Sequence, residues 1–118
     1  MGATSETIRL LVGAWRDEDD DEIVIGRTDD GGFSVAMFDS RDGELFEVRR
    51  VRWQRGHLSW EVRVPSTGVE LRYQTTRIGT ERLEVTWRNA VQDPDLIPAP
   101  LRLRGLRLRG QDTFLRCG

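Results

Sequence analysis

The chain reads as all-β: an antiparallel up-and-down meander of about eight to ten strands, closed into a barrel and preceded by a short helical turn. Three observations predict this. Apolar residues alternate with polar ones through most of the chain, which gives strands one dry and one wet face. Short turn signals, each carrying Gly, separate the alternating runs. Helical spacing of apolar residues is confined to the N-terminal stretch. With 118 residues, the whole chain, 1–118, forms one domain with one core.

The elements follow in order. In "SETIRLLVGAW", Ser5 is a helix cap, Ile8, Leu11 and Val12 have helix-like spacing, and Gly13 is a stop before a first strand at Trp15. Ile23, Ile25, Phe33, Val35 and Met37 share the apolar face of the next two strands, on either side of the "DDGG" turn at 29–32. "SRDG" at 40–43 leads into "FEVRRVRWQ", where Phe46 and Val48 are in one phase and Val51 and Trp53 in the other. A β-bulge at Arg49–Arg50 returns both pairs to the core face; the alternative is an arginine pointing inward, expensive unless paired. After "QRGH" at 54–57, "HLSWEVRV" puts Leu58, Trp60, Val62 and Val64 on one face. After "PSTG" at 65–68, "VELRYQTTR" does so with Val69, Leu71, Tyr73 and Thr75; after "IGTE" at 78–81, "RLEVTWR" does so with Leu83, Val85 and Trp87. "NAVQDPDLIPAP" at 89–100 is long for a hairpin, and its Leu96 and Ile97 suit packing over a barrel end, a lid or a partner contact. In "LRLRGLRLRG" the leucines Leu101, Leu103, Leu106 and Leu108 alternate with Arg102, Arg104, Arg107 and Arg109, a core face against a solvated one if Gly105 is a bulge.

Composition narrows the chemistry. The net charge is −2, and all 18 basic residues are arginine. The molecule as a whole does not attract polyanions, and lysine chemistry is excluded. A single cysteine, Cys117, cannot form an internal disulfide, and one histidine with one cysteine cannot build a zinc site. No apolar run reaches the length of a membrane helix, and the N-terminus lacks the plan of a signal peptide. The expectation is a soluble cytoplasmic protein.

The segment "LLVGAWRDE", with Gly13-Ala14-Trp15 after a helical turn, resembles the entry to a lipocalin or calycin-type barrel. The resemblance implies that Trp15 packs across one end of the barrel and that an arginine near the end of the last strand covers it. Arg116 in "DTFLRCG" is the matching position, with Arg109 and Arg104 as alternatives. A guanidinium over an indole is favourable by about 1–2 kcal/mol when desolvated. The chain is shorter than a typical lipocalin, lacks its C-terminal helix and is closer to the small intracellular lipocalin-like domains of bacteria. Members of that group include cyclases and isomerases that hold a reactive substrate in shape.

No catalytic signature is complete. "DEDDDE" at 17–22 spaces Asp17, Asp19 and Asp21 as a calcium loop does, but Glu22 stands where glycine is needed, so it reads as a turn of solvated acids. His57 sits at a hairpin corner, and its neighbours Ser59 and Glu61 are in line rather than convergent, so it reads as a surface residue and not a general base. The arginine repeat has no interleaved aromatic residue to stack bases, so nucleic acid is not expected as a partner. There remains the apolar face. Met37, Phe46, Trp60, Tyr73 and Trp87 are the candidate ligand-binding residues, with Tyr73 as polar handle. The leading expectation is a barrel that binds a small apolar or aromatic molecule, with no cofactor and no metal. The alternatives are a cofactor-independent cyclase or isomerase, with Tyr73, Trp60 and an inward Arg50 as donors, and a protein-binding module or homodimer that uses the acidic and basic surface blocks.

Overall fold

A computed structural model describes residues 2–89 and 109–117. Leu96, Ile97, Leu101, Leu103, Leu106 and Leu108 lie outside those residues, as do Arg102, Arg104, Gly105 and Arg107. Helix α1 (Ser5–Leu11) comes first, followed by β1 (Gly13–Arg16), β2 (Asp21–Arg27), β3 (Phe33–Asp39) and β4 (Glu47–Gln54). The chain continues through β5 (His57–Arg63), β6 (Glu70–Ile78), β7 (Arg82–Asn89) and β8 (Arg109–Arg116). All eight strands belong to one sheet with the order β3-β2-β1-β8-β7-β6-β5-β4, every pair antiparallel. The ends of that sheet meet at β3 and β4 through a bridge between Phe38 and Leu45 and a 2.9 Å bond from the Phe46 amide to the Met37 carbonyl. The result is a nearly closed barrel of eight strands among the described residues. Among the described residues no helix is long and apolar enough to cross a membrane.

The alternation translates directly into an interior. Ile23, Met37, Leu58, Leu83, Val85 and Phe114 are all fully buried on the inner face. The five expected turns all occur, and each joins two neighbouring strands. At the tightest, Gln54 pairs with His57 across Arg55 (φ 53°) and Gly56 (φ 79°). Two successive left-handed residues make the turn whose twist matches that of its strands.

One expectation is corrected, one is borne out, and one feature is new. The helix cap is Thr4, not Ser5: its hydroxyl accepts the Thr7 amide at 3.2 Å, and Ser5 is already helical. The phase slip in β4 is a bulge. The β4–β5 register shifts between Arg49 and Arg52, and Arg50, at φ 55°, turns outward, so no arginine points into the core here. A second bulge, in β6 between Thr75 and Arg77, has the same purpose. It returns Ile78 to the inner face after Tyr73 and Thr75.

Candidate functional site

One end of the barrel is plugged. Trp15 is 0% exposed, and its indole N–H donates to the Leu11 carbonyl at 2.9 Å, which ties strand to helix. Arg116 lies over the ring, 4.2 Å from its centroid. Its guanidinium also donates to the Thr80 carbonyl at 2.8 Å, the Val12 carbonyl at 3.2 Å and the Leu10 carbonyl. Gly13 makes this possible. A Cβ there would meet the Arg116 side chain at 2.7 Å, and its φ of +141° is one that side chains rarely adopt. The arginine matched by position is thus the one observed, and Arg109 is elsewhere, exposed on the outer face.

The five candidate ligand-binding residues all belong to one core cluster, with Met37, Trp60 and Tyr73 buried and Phe46 and Trp87 packed against them. Trp60, Tyr73, Trp87 and Gly110 are successive cross-strand partners, so they form one inward row over β5–β8. Trp60 and Tyr73 stack at 5.4 Å with their rings 5° from parallel. Trp87 lies across Gly110, where a Cβ would come within 2.6 Å of the ring. Met37 and Phe46 flank the seam between β3 and β4. The indole N–H of Trp60 is buried and finds no acceptor among the described residues. An orphaned buried donor costs about 1–3 kcal/mol.

The acidic run is not uniformly solvated. Asp17 is only 7% exposed; one oxygen accepts the amides of Asp19 (3.0 Å) and Asp21 (2.9 Å), while the other is buried without a partner. Asp21 and Asp112 are half-buried on the inner face of β2 and β8. Burial, together with the negative charge of Asp112 and Asp19, pushes Asp17 up to about 6. Burial, then the charges of Asp17 and Asp39, push Asp21 up to about 7. Asp112 is raised by burial, with Asp19 and Glu18 adding to it. The Tyr73 hydroxyl is held far above its ordinary range by burial and by Asp21, Asp112 and Asp17, so it stays protonated. Sequence alternation could not reveal this, because a charged residue in phase with a core face is read as exposed by default. Among the described residues no group of three or more His, Cys, Asp or Glu has a geometry that could hold a metal ion.

The outer face of β4–β8 carries a cleft of about 900 Å³. Two cross-strand rows frame it. In one, Arg50 at the bulge precedes Glu61, Arg72, Arg88 and Arg109, which are partners across successive strands. In the other, Arg52, Ser59, Gln74, Thr86 and Gln111 are paired likewise. The inward row of aromatics lies between them in sequence, so it offers the cleft its backbone and not its rings. Glu61 holds Arg72 at 3.0 Å and Arg50 at 3.1 Å. A neighbouring cleft of about 750 Å³ shares Ser59 and Gln74 and reaches His57. The His57 Nδ1 donates to the Thr75 carbonyl at 2.8 Å, and the Thr75 hydroxyl accepts the Leu58 amide at 3.0 Å, so the ring is anchored at its corner. Cys117 is likewise tied down, its amide donating to the Ala14 carbonyl at 2.9 Å, with burial raising its thiol.

No family model, curated protein or solved structure matches this chain.

Proposed function

We propose that this chain is a lipocalin-like binding protein that takes a small apolar or aromatic molecule at the barrel end opposite the Trp15–Arg116 plug. The observation that carries the reading is the unpartnered Trp60 indole N–H, buried in a row of aromatic rings with Tyr73 and Trp87. A flat ligand with one hydrogen-bond acceptor would stack with that row and relieve the orphaned donor. The packed interior means that such a ligand enters by displacing side chains, Trp87 first, since it is the one of the three still partly exposed.

Prodan, a neutral naphthalene with a ketone acceptor, is a suitable probe. Saturable binding with quenching of tryptophan fluorescence is expected. Trp60→Phe, which keeps a ring and removes the N–H, should weaken it about tenfold, the equivalent of one hydrogen bond. Absence of saturable binding, or equal affinity in Trp60→Phe, overturns the reading.

A cyclase or isomerase is the second reading, favoured by Asp17 and Asp21, whose carboxyls keep their protons toward neutral pH on the inner face. Carboxylic acids with raised pKa values are the usual proton donors of enzymes. Arg50 drops out of that scheme, since its side chain is 60% exposed on the outer face; Tyr73 and Trp60 remain. A neighbouring gene set for biosynthesis would favour this reading over a carrier.

A further inference from the structure

We propose that the arginine-lined cleft outside the barrel is a second binding site, for a small molecule with two or more anionic groups such as phosphates or sulfates. The site is independent of the aromatic row inside.

Four observations converge on it. Charge is the first: the cleft gathers five arginines and one glutamate in a chain whose net charge is −2. A concave surface lined by one sign of charge focuses the field on whatever enters it. Arrangement is the second. Arg72, Arg88 and Arg109 stand directly opposite one another on three adjacent strands. Such partners have Cβ atoms about 4.5–5.5 Å apart, and like charges there repel. Of these three, Glu61 compensates Arg72 alone, so Arg88 and Arg109 still repel until a further anion joins the row.

Partnering is the third observation. Glu61 engages Arg72 and Arg50, which fixes one end of the row. Among the described residues Arg52, Arg88 and Arg109 make no ion pair or hydrogen bond with a side chain, so their donors are available. A guanidinium presents its N–H groups as a planar fork that fits phosphate and carboxylate oxygens in pairs. Chemistry of the second row is the fourth: Ser59, Gln74, Thr86 and Gln111 offer neutral donors and acceptors for the uncharged part of the ligand. The volume, about 900 Å³, is that of a cleft for a drug-sized or nucleotide-sized molecule. A nucleic-acid strand fits less well, because the rings that could stack its bases point to the other side of the sheet.

The experiment is calorimetric titration of the whole chain with inorganic tripolyphosphate at low ionic strength, beside inorganic phosphate and a single-stranded oligonucleotide. Arg88→Gln/Arg109→Gln tests the cleft. Arg9→Gln/Arg82→Gln, which removes the same charge from exposed positions outside it, is the control. All four positions are exposed, and far-ultraviolet circular dichroism confirms that both variants fold. Tripolyphosphate should bind with one site per chain, more tightly than phosphate. The cleft variant should lose about tenfold or more in affinity and the control should be unchanged. No binding overturns the proposal, as does an equal loss in both variants, which would mean diffuse attraction. Phosphate binding as tightly as tripolyphosphate overturns the multi-anionic class. Oligonucleotide binding more tightly than tripolyphosphate, and lost in the cleft variant, reassigns the face to nucleic acid.

Discussion

Arg116 ties one end of the barrel together. It meets three backbone carbonyls, from α1, the α1–β1 junction and the β6–β7 turn, and covers Trp15 as well. Lysine keeps the charge but has neither the fork nor the flat face. Arg116→Lys should therefore cost about 2 kcal/mol in a denaturant melt, with a changed near-ultraviolet signal from Trp15. A loss under about 0.5 kcal/mol would show that water serves those carbonyls as well as the guanidinium does. Gly110 poses the opposite problem, a group that must be absent. Its α-carbon is the floor on which Trp87 lies, and a methyl group would sit 2.6 Å from the ring. Gly110→Ala should cost about 1–3 kcal/mol by overpacking. Trp87→Leu in the same chain should recover part of that loss, since the two positions touch; purely additive effects would separate them.

At the scale of elements, β4 shows how a strand corrects its own register. Val48 and Trp53 both face inward only because the chain inserts a residue between Arg49 and Arg52. That bulge is visible in the sequence as a phase slip between apolar residues. The bulge in β6 could have been read the same way, from Ile78 falling out of step with Tyr73 and Thr75. The five turns from β2 to β7 were legible too, since glycine marks each of them, whereas the β1–β2 turn at 17–20 has none; the Trp15–Arg116 plug was legible through the resemblance of Gly13-Ala14-Trp15 to a lipocalin barrel entry. Two features were not legible. Asp17, Asp21 and Asp112 share the phase of apolar neighbours, yet a sequence pattern gives no reason to bury a carboxylate. The outer cleft depends on which polar residues of five strands become cross-strand partners, and on the sheet's curvature, neither of which any single strand contains. One element invites improvement. In the β4–β5 turn, Arg55 adopts φ 53° without being glycine or asparagine. Arg55→Asn should raise stability by about 0.5 kcal/mol, because asparagine tolerates that conformation. An unchanged or lower thermal midpoint would show that the Arg55 side chain contributes through the neighbouring cleft it lines.

For the molecule as a whole, the inner carboxylates set the pH response. Asp17 and Asp21 have folded-state values of about 6 and about 7, against 3.8 for an unperturbed aspartate, with burial as the main cause. Their values are raised, so between about pH 4 and pH 7 the folded chain holds protons that the unfolded chain has released. Stability must then fall as pH rises through that window, the reverse of what paired surface carboxylates produce. Asp30 at the surface and the partly buried Asp39 illustrate the contrast: hydrogen bonds hold both below the ordinary value, so the stability they contribute is present above about pH 4 and is lost as the pH falls below it. The two inner acids interact with each other and with Asp112, and solvent reaches Asp21, so the total effect is discounted to about 1–3 kcal/mol between pH 5 and pH 8. Thermal melts across that range should show the midpoint declining with pH. Asp21→Asn, which is neutral throughout, should flatten the decline, while Asp30→Asn should leave it in place. A midpoint that stays level or climbs in the unaltered chain would mean that both carboxylates are ionised in the folded barrel and fully hydrated. The acidic run at 17–22 would then be an ordinary solvated turn after all.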